Sequence, residues 1–142
     1  MKTNDTQEKA MEGQRKTLRI LVGDDQIGVP GSLQQSSFLR NYSRIVNASF
    51  DFECDSERFI ERSRDGRYDA LLIDLNWTDE DIGRKDKTGF RVLEAVRGYA
   101  PIRILHTSDE DNMKKGLNHG ATGFAEKHRS SEYMEKILKG EA

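Results

Sequence analysis

The run ALLI at residues 70–73 contains no polar position and ends on a carboxylate, Asp74. A strand wetted on one face alternates apolar with polar residues, whereas an unbroken apolar run suits a strand covered on both faces. The segment LRILVG at 18–23 also reads as a buried strand, and it runs straight into Asp24 and Asp25. Two buried strands that finish in acid call for a sheet shielded on both sides but open at its ends.

The rest of the chain supplies the shielding. Phe38, Leu39, Tyr42, Ile45 and Val46 recur at three- and four-residue spacing, which predicts a first helix whose start is delayed by Pro30 and Gly31. Ala48, Phe50 and Phe52 alternate as in a strand, and DSERFIERSRDG predicts a helix that starts at Asp55 or Ser56 and stops near Gly66. WTDEDIGRKDKT, at 77–88, is too charged for a strand and has Gly83 in its middle, so it is expected to be a loop. A third helix starts at Thr88 or Gly89 with Phe90, Leu93 and Val96 inward, and PIRILHT is a fourth strand. The fourth helix is expected to be capped by Ser108, to pair Met113 with Leu117 inward, and to stop at Gly120. ATGFAEK is a fifth strand, and the last helix turns Tyr133, Met134, Ile137 and Leu138 inward. Five strands alternating with five helices predict an α/β domain around a parallel sheet. In such sheets ligands bind beyond the carboxyl ends of the strands, where Asp24, Asp25 and Asp74 would converge if the first and third strands are neighbours.

A chain of 142 residues suits one domain, expected at 17–140 behind a polar, mobile leader at 1–16. The charged fraction of 34% is mixed in sign and the formal net charge is −2, which supplies no basic stripe for direct nucleic-acid binding. The single cysteine, Cys54, excludes an intramolecular disulfide and a cysteine-rich zinc site, and is expected to be inert. No run approaches the ~18 apolar residues of a membrane span, and the first residues lack the apolar centre of a signal peptide. A cytoplasmic protein with no membrane partner is expected. His106, His119 and His128 lack metal-ligand spacing and read as surface or satisfied histidines.

Three clustered carboxylates in apolar surroundings repel one another and tend to take up protons unless a cation is present. Mg²⁺ suits such a cluster, because it prefers oxygen ligands and is usually held by one or two carboxylates together with phosphate oxygens. The other strand ends offer what a phosphoryl group needs. Thr107 brings a hydroxyl after the fourth strand and Lys127 an ammonium after the fifth.

Acid pair, Asp, Thr and Lys after strands one, three, four and five together resemble the receiver domain of two-component response regulators, over about residues 17–140. The resemblance implies a flavodoxin-like (CheY-like) doubly wound sheet of order 2-1-3-4-5. It implies that Asp74 accepts a phosphoryl group from a sensor histidine kinase or phosphotransfer protein, that Asp24, Asp25, Asp74 and the carbonyl of Asn76 hold Mg²⁺, and that Thr107 and Lys127 contact the phosphoryl oxygens. Such a domain catalyses its own phosphorylation and dephosphorylation. Phe124 matches the aromatic switch position, so Thr107 and Phe124 are expected to transmit the change to a face of the fourth helix, fifth strand and fifth helix that meets a downstream protein. Asn76 and Asp109 occupy the positions that set phosphoryl lifetime and imply a short one.

The sequence departs from the pattern in three places. His128 stands where a proline usually follows the lysine, so a loop of different shape and a less firmly aimed Lys127 are expected. Gly89 is the nearest match to a glycine that normally follows the acceptor more closely, which makes 77–88 an insertion whose Asp79, Glu80 and Asp81 are candidates for a lid, added metal affinity or a kinase contact. Pro30 and Gly31 precede the first helix, whose face normally receives the kinase. Against the phosphorylated receiver stands a receiver-like adaptor not controlled by phosphate. An aspartate-nucleophile phosphatase ranks last, because Asn76 stands where such enzymes place an acid/base Asp.

Overall fold

Period-two alternation along the apolar strands divides the core in two. Ile20, Val22, Ala70, Leu72, Ile104 and Ala125 face one side of the sheet, and Leu21, Leu71, Ile73 and Leu105 the other. The computed structural model describes residues 17–77 and 88–140. The leader expected at 1–16, and Asp79, Glu80 and Asp81 of the long loop, lie outside the described residues.

The elements run β1 (Leu18–Gly23), α1 (Leu33–Tyr42), β2 (Ala48–Glu53), α2 (Ser56–Asp65), β3 (Ala70–Asp74), α3 (Thr88–Ala95), β4 (Ile102–Thr107), α4 (Glu110–Asn118), β5 (Gly123–Glu126) and α5 (Ser131–Leu138). All strand pairs are parallel, in the order β2-β1-β3-β4-β5. Helices α1 and α5 cover one face through Phe38, Tyr42, Met134 and Leu138. On the other face lie Phe59 of α2, Val92 and Leu93 of α3, and Gly116 of α4, where an added Cβ would come within 2.9 Å of Leu105. Every residue of β3 is buried, as the unbroken apolar run requires. The winding reverses between β1 and β3, so the crevice at their carboxyl ends opens where the acids stand.

Local chemistry fixes the helix ends. Ser32, after Pro30 and Gly31, caps α1 by accepting from Gln35 N at 3.0 Å, and Asp55 caps α2 by accepting from Arg58 N at 2.9 Å. Three expectations change. Helix α1 stops at Tyr42, so Ile45 is buried from the following turn while Leu39 and Val46 are exposed. Asp109, not Ser108, caps α4, accepting from Asp111 N at 3.1 Å. A carboxylate beside helix N–H groups gains from the helix dipole as a serine hydroxyl cannot. Leu117 is 48% exposed, because α4 meets the sheet through Met113 and Gly116.

Candidate functional site

The three acids converge. Asp24, Asp25 and Asp74 each present a carboxylate oxygen, all within 4.8 Å of one another, with Asp24 and Asp74 buried and Asp25 half-buried. Asp24 is held by the turn after β1, where its Oδ1 accepts from Gln26 N at 2.8 Å and Ile27 N at 3.0 Å. The close packing behind it demands small residues, since a Cβ on Gly28 would come within 2.4 Å of the Asp24 carbonyl. Glu53, a further buried acid nearby, is committed elsewhere, accepting from Cys54 N, Asp55 N and the Arg62 guanidinium.

Lys127 reaches the cluster from the end of β5. Its Nζ lies 3.1 Å from Asp24 Oδ2 and 2.9 Å from Asp74 Oδ1. It is aimed more firmly than the missing proline suggested. Its backbone N–H donates to the Thr107 carbonyl at 3.2 Å, and the Tyr42 hydroxyl donates to the Arg129 carbonyl at 2.8 Å, so the chain is fixed on both sides of the lysine. Between these anchors His128 takes a left-handed φ of 67°, the departure in loop shape expected where the proline is missing.

The electrostatics follow from burial and crowding. Burial, reinforced by the Asp24 carboxylate, pushes Asp74 up to about 7 although Lys127 pulls it down. Burial disfavours the Lys127 charge, but the two facing carboxylates outweigh it and hold the ammonium above its ordinary range. The site thus carries more negative charge than Lys127 neutralises. An all-oxygen donor set with surplus negative charge fits a hard divalent cation.

The remaining expected residues take different places. Thr107 ends β4 beside the cluster, buried, its Oγ1 accepting from Asp109 N at 3.1 Å. Asn76 is exposed two residues past Asp74. Phe124 is not in the cluster. It pairs in register with Leu105 and packs, half-buried, against the core on the α4 side. Asp109 has both carboxylate oxygens engaged, one capping α4 and the other accepting from Asn112 Nδ2 at 2.6 Å.

Three residues near the site have roles the sequence reading missed or left open. Trp77, read as the first residue of a loop, is fully buried, and its Nε1 donates to the Asp74 carbonyl at 2.6 Å. It packs edge-on against Phe59 in space that Gly23 leaves free, since a Cβ there would come within 2.5 Å of both rings. Gly89 lies against the acceptor's backbone. Its N–H donates to the Leu75 carbonyl at 2.7 Å, and an added Cβ would stand 2.3 Å from the Asp74 carbonyl oxygen. His106, expected to be a surface or satisfied histidine, is neither: it is 2% exposed and neither ring nitrogen has a hydrogen-bond partner among the described residues. Burial and the nearby Lys127 charge press its imidazole down to about 3.

Asp74 and His106 give the cation-free protein opposing pH dependences. Asp74 binds its proton more tightly folded than unfolded, so its contribution is fully present below the unfolded value near 3.8 and is lost as pH rises through about 7. His106 binds its proton more weakly folded, so its contribution is present above the unfolded value of 6.5 and is lost as pH falls toward about 3. At ~1.4 kcal/mol per pH unit, each group shifts stability by about 2 kcal/mol between about pH 7 and pH 5, with opposite sign. Urea unfolding in chelator is therefore expected to show little net change for the native chain from these groups, whereas Asp74→Asn loses about 2 kcal/mol on acidification.

No family model matches the chain and no curated protein matches it. Solved structures do. The Vibrio cholerae chemotaxis protein CheY4 is 18% identical, with a TM-score of 0.65 over 89% of this chain and 99% of its own. A LuxR-family two-component response regulator from an Aurantimonas species is 20% identical, with a TM-score of 0.65 over 87% of this chain and 86% of its own. The beryllofluoride-activated DrrB receiver domain is 18% identical, with a TM-score of 0.62 over 87% of this chain and 96% of its own. At these identities the likeness establishes the fold, which is that of response-regulator receiver domains (CheY-like).

Proposed function

We propose that the chain is a phosphorylatable receiver in two-component signalling, taking a phosphoryl group onto Asp74 from the phosphohistidine of a sensor kinase or phosphotransfer protein. The observation that carries this reading is the Lys127 ammonium bridging Asp24 and Asp74 inside a cluster of three carboxylates at the strand ends. One structural ion pair with Lys127 needs a single carboxylate, whereas three converge here.

Asp24, Asp25, Asp74 and the Asn76 carbonyl are the groups that would hold Mg²⁺. When bound, the ion neutralises charge on the phosphoryl oxygens and relieves the repulsion among the acids. An Asp74 carboxylate oxygen attacks phosphorus in line, the phosphorus–nitrogen bond to the donor histidine breaks, and the departing imidazole takes up a proton. Lys127, at hydrogen-bond distance from the attacking carboxylate, is placed to donate to an oxygen of the transferred group. The Thr107 hydroxyl then leaves the Asp109 N–H for the new dianion, and Phe124 turns toward the vacated space. The α4, β5 and α5 face changes and a downstream protein reads it. Both Asp109 carboxylate oxygens are engaged at the start of α4, so the short lifetime expected of the phosphoprotein is assigned to Asn76, two residues past the acceptor. Among the described residues no helix is long and apolar enough to cross a membrane, and the reading places the protein in the cytoplasm.

The adaptor reading draws on the His128 turn, but the firm placement of Lys127 weighs against it. Trp77, the only tryptophan, separates the two readings, because its indole is bonded to the Asp74 backbone. Its fluorescence is expected to change saturably with Mg²⁺ and again with beryllofluoride, and Asp25→Asn is expected to weaken the Mg²⁺ response at least about tenfold. An indole signal indifferent to both additions favours the adaptor.

A further inference from the structure

A cleft of about 250 Å³ opens between α1 and the end of β5, on the sheet face that carries His106. Its apolar wall includes Ile27, Phe38 and Tyr42, and His106 lines it with the Phe38 ring edge-on at 6.3 Å. Helix α1 turns Gln34, Ser37 and Asn41 toward it, spaced along one helical face so that amide and hydroxyl groups alternate with the two aromatics. We propose that this cleft binds a small uncharged arene carrying a hydroxyl or amide, which pairs with the imidazole of His106.

A buried polar group normally has a partner, and His106 has none among the described residues. A neutral imidazole offers one donor and one acceptor nitrogen, the pattern that a hydroxyl or a carboxamide complements. The volume lies just below the range of about 300–1,000 Å³ for ligand pockets, which suits a single substituted ring. Charge argues against an ionic ligand. The charged side chains that line the cleft among the described residues, Lys127 and Asp24, already pair with each other at 3.1 Å, and the other Asp24 oxygen accepts from Gln26 N and Ile27 N, so neither an anion nor a cation finds a free counter-charge there. The aromatic wall favours a ring over an aliphatic chain. The cleft adjoins the phosphoryl site, sharing Asp24 and Lys127 with it, and its ligand binds with no phosphodonor present.

The test is a titration of the ¹⁵N-labelled full chain, in chelator, with phenol, benzamide and 4-hydroxybenzamide, reading the His106 ring nitrogens and the backbone amides of Gln34, Ser37 and Asn41. At least one probe is expected to shift these signals saturably, with a dissociation constant of about millimolar or tighter. The anion 4-hydroxybenzoate is expected to bind at least about tenfold more weakly than 4-hydroxybenzamide. Ser37→Trp, an exposed substitution at the mouth that spares the core, is expected to weaken binding by a similar factor, and His106→Phe should remove it. The proposal is overturned if none of the three probes shifts the His106 nitrogens saturably, if the benzoate binds as well as the benzamide, or if Ser37→Trp leaves binding unchanged. Those results would leave His106 a buried histidine of the core with no ligand role.

Discussion

Lys127→Met slows phosphorylation of Asp74 by a small-molecule phosphodonor about 100-fold or more. The side chain keeps a similar apolar stem and loses only the ammonium that stands 2.9 Å from Asp74 Oδ1 and 3.1 Å from Asp24 Oδ2. Removing one well-placed donor to a developing charge typically costs about 10²–10³ in rate. Two further effects add to this. The variant leaves Asp74 with less to oppose burial and the Asp24 charge, so a smaller fraction is ionised and able to attack. The affinity for Mg²⁺ should rise, because a competing cation has been removed, which separates loss of catalysis from loss of the metal site. Single-turnover rates followed by intact mass, beside a Mg²⁺ titration, check both. An unchanged rate would mean that Lys127 is a structural counter-ion and nothing more.

Trp77→Ala destabilises the domain by about 3–5 kcal/mol, the range for truncating a large buried aromatic. Trp77 is fully buried, lies 5.6 Å edge-on from Phe59 and fills space that Gly23 leaves open, so neither wall can close the gap without moving β1 or α2. The indole N–H also satisfies the Asp74 carbonyl. Trp77→Phe keeps most of the buried surface and loses that bond, at about 1–2 kcal/mol. Urea unfolding of the two variants measures both. A loss under about 1 kcal/mol for Trp77→Ala would show that the ring is not part of the core that positions the acceptor.

The gap between those two variants also marks where the sequence stopped being readable. Apolar runs such as ALLI and LRILVG reveal their strands because burial on both faces leaves only one kind of residue acceptable, and acids at strand ends stand out against that background. Asp24, Asp25, Asp74 and Lys127 could therefore each be placed at a strand end, and the order 2-1-3-4-5 implied by the receiver resemblance brought them together. Trp77 and Gly89 could not, because their role depends on approach distances between segments. The indole sits after β3 in a stretch whose charges signal loop, and the fit of Gly89 against the Asp74 carbonyl is visible only once α3 has docked. Leu39, Leu117 and Val46 went the other way. Their spacing suggested inward faces, but the exposed sides of α1 and α4 and the turn after α1 carry them. His106 was hidden by composition, since a lone histidine in a strand gives no sign that its side chain enters a fully buried position without a partner.

The most direct test of the central claim is intact-mass spectrometry of the full chain after treatment with acetyl phosphate, with and without Mg²⁺, beside Asp74→Asn. The site geometry predicts one added phosphoryl group that requires Mg²⁺ and is absent from the variant. No adduct on the native chain, or an adduct of equal yield on Asp74→Asn, would contradict it.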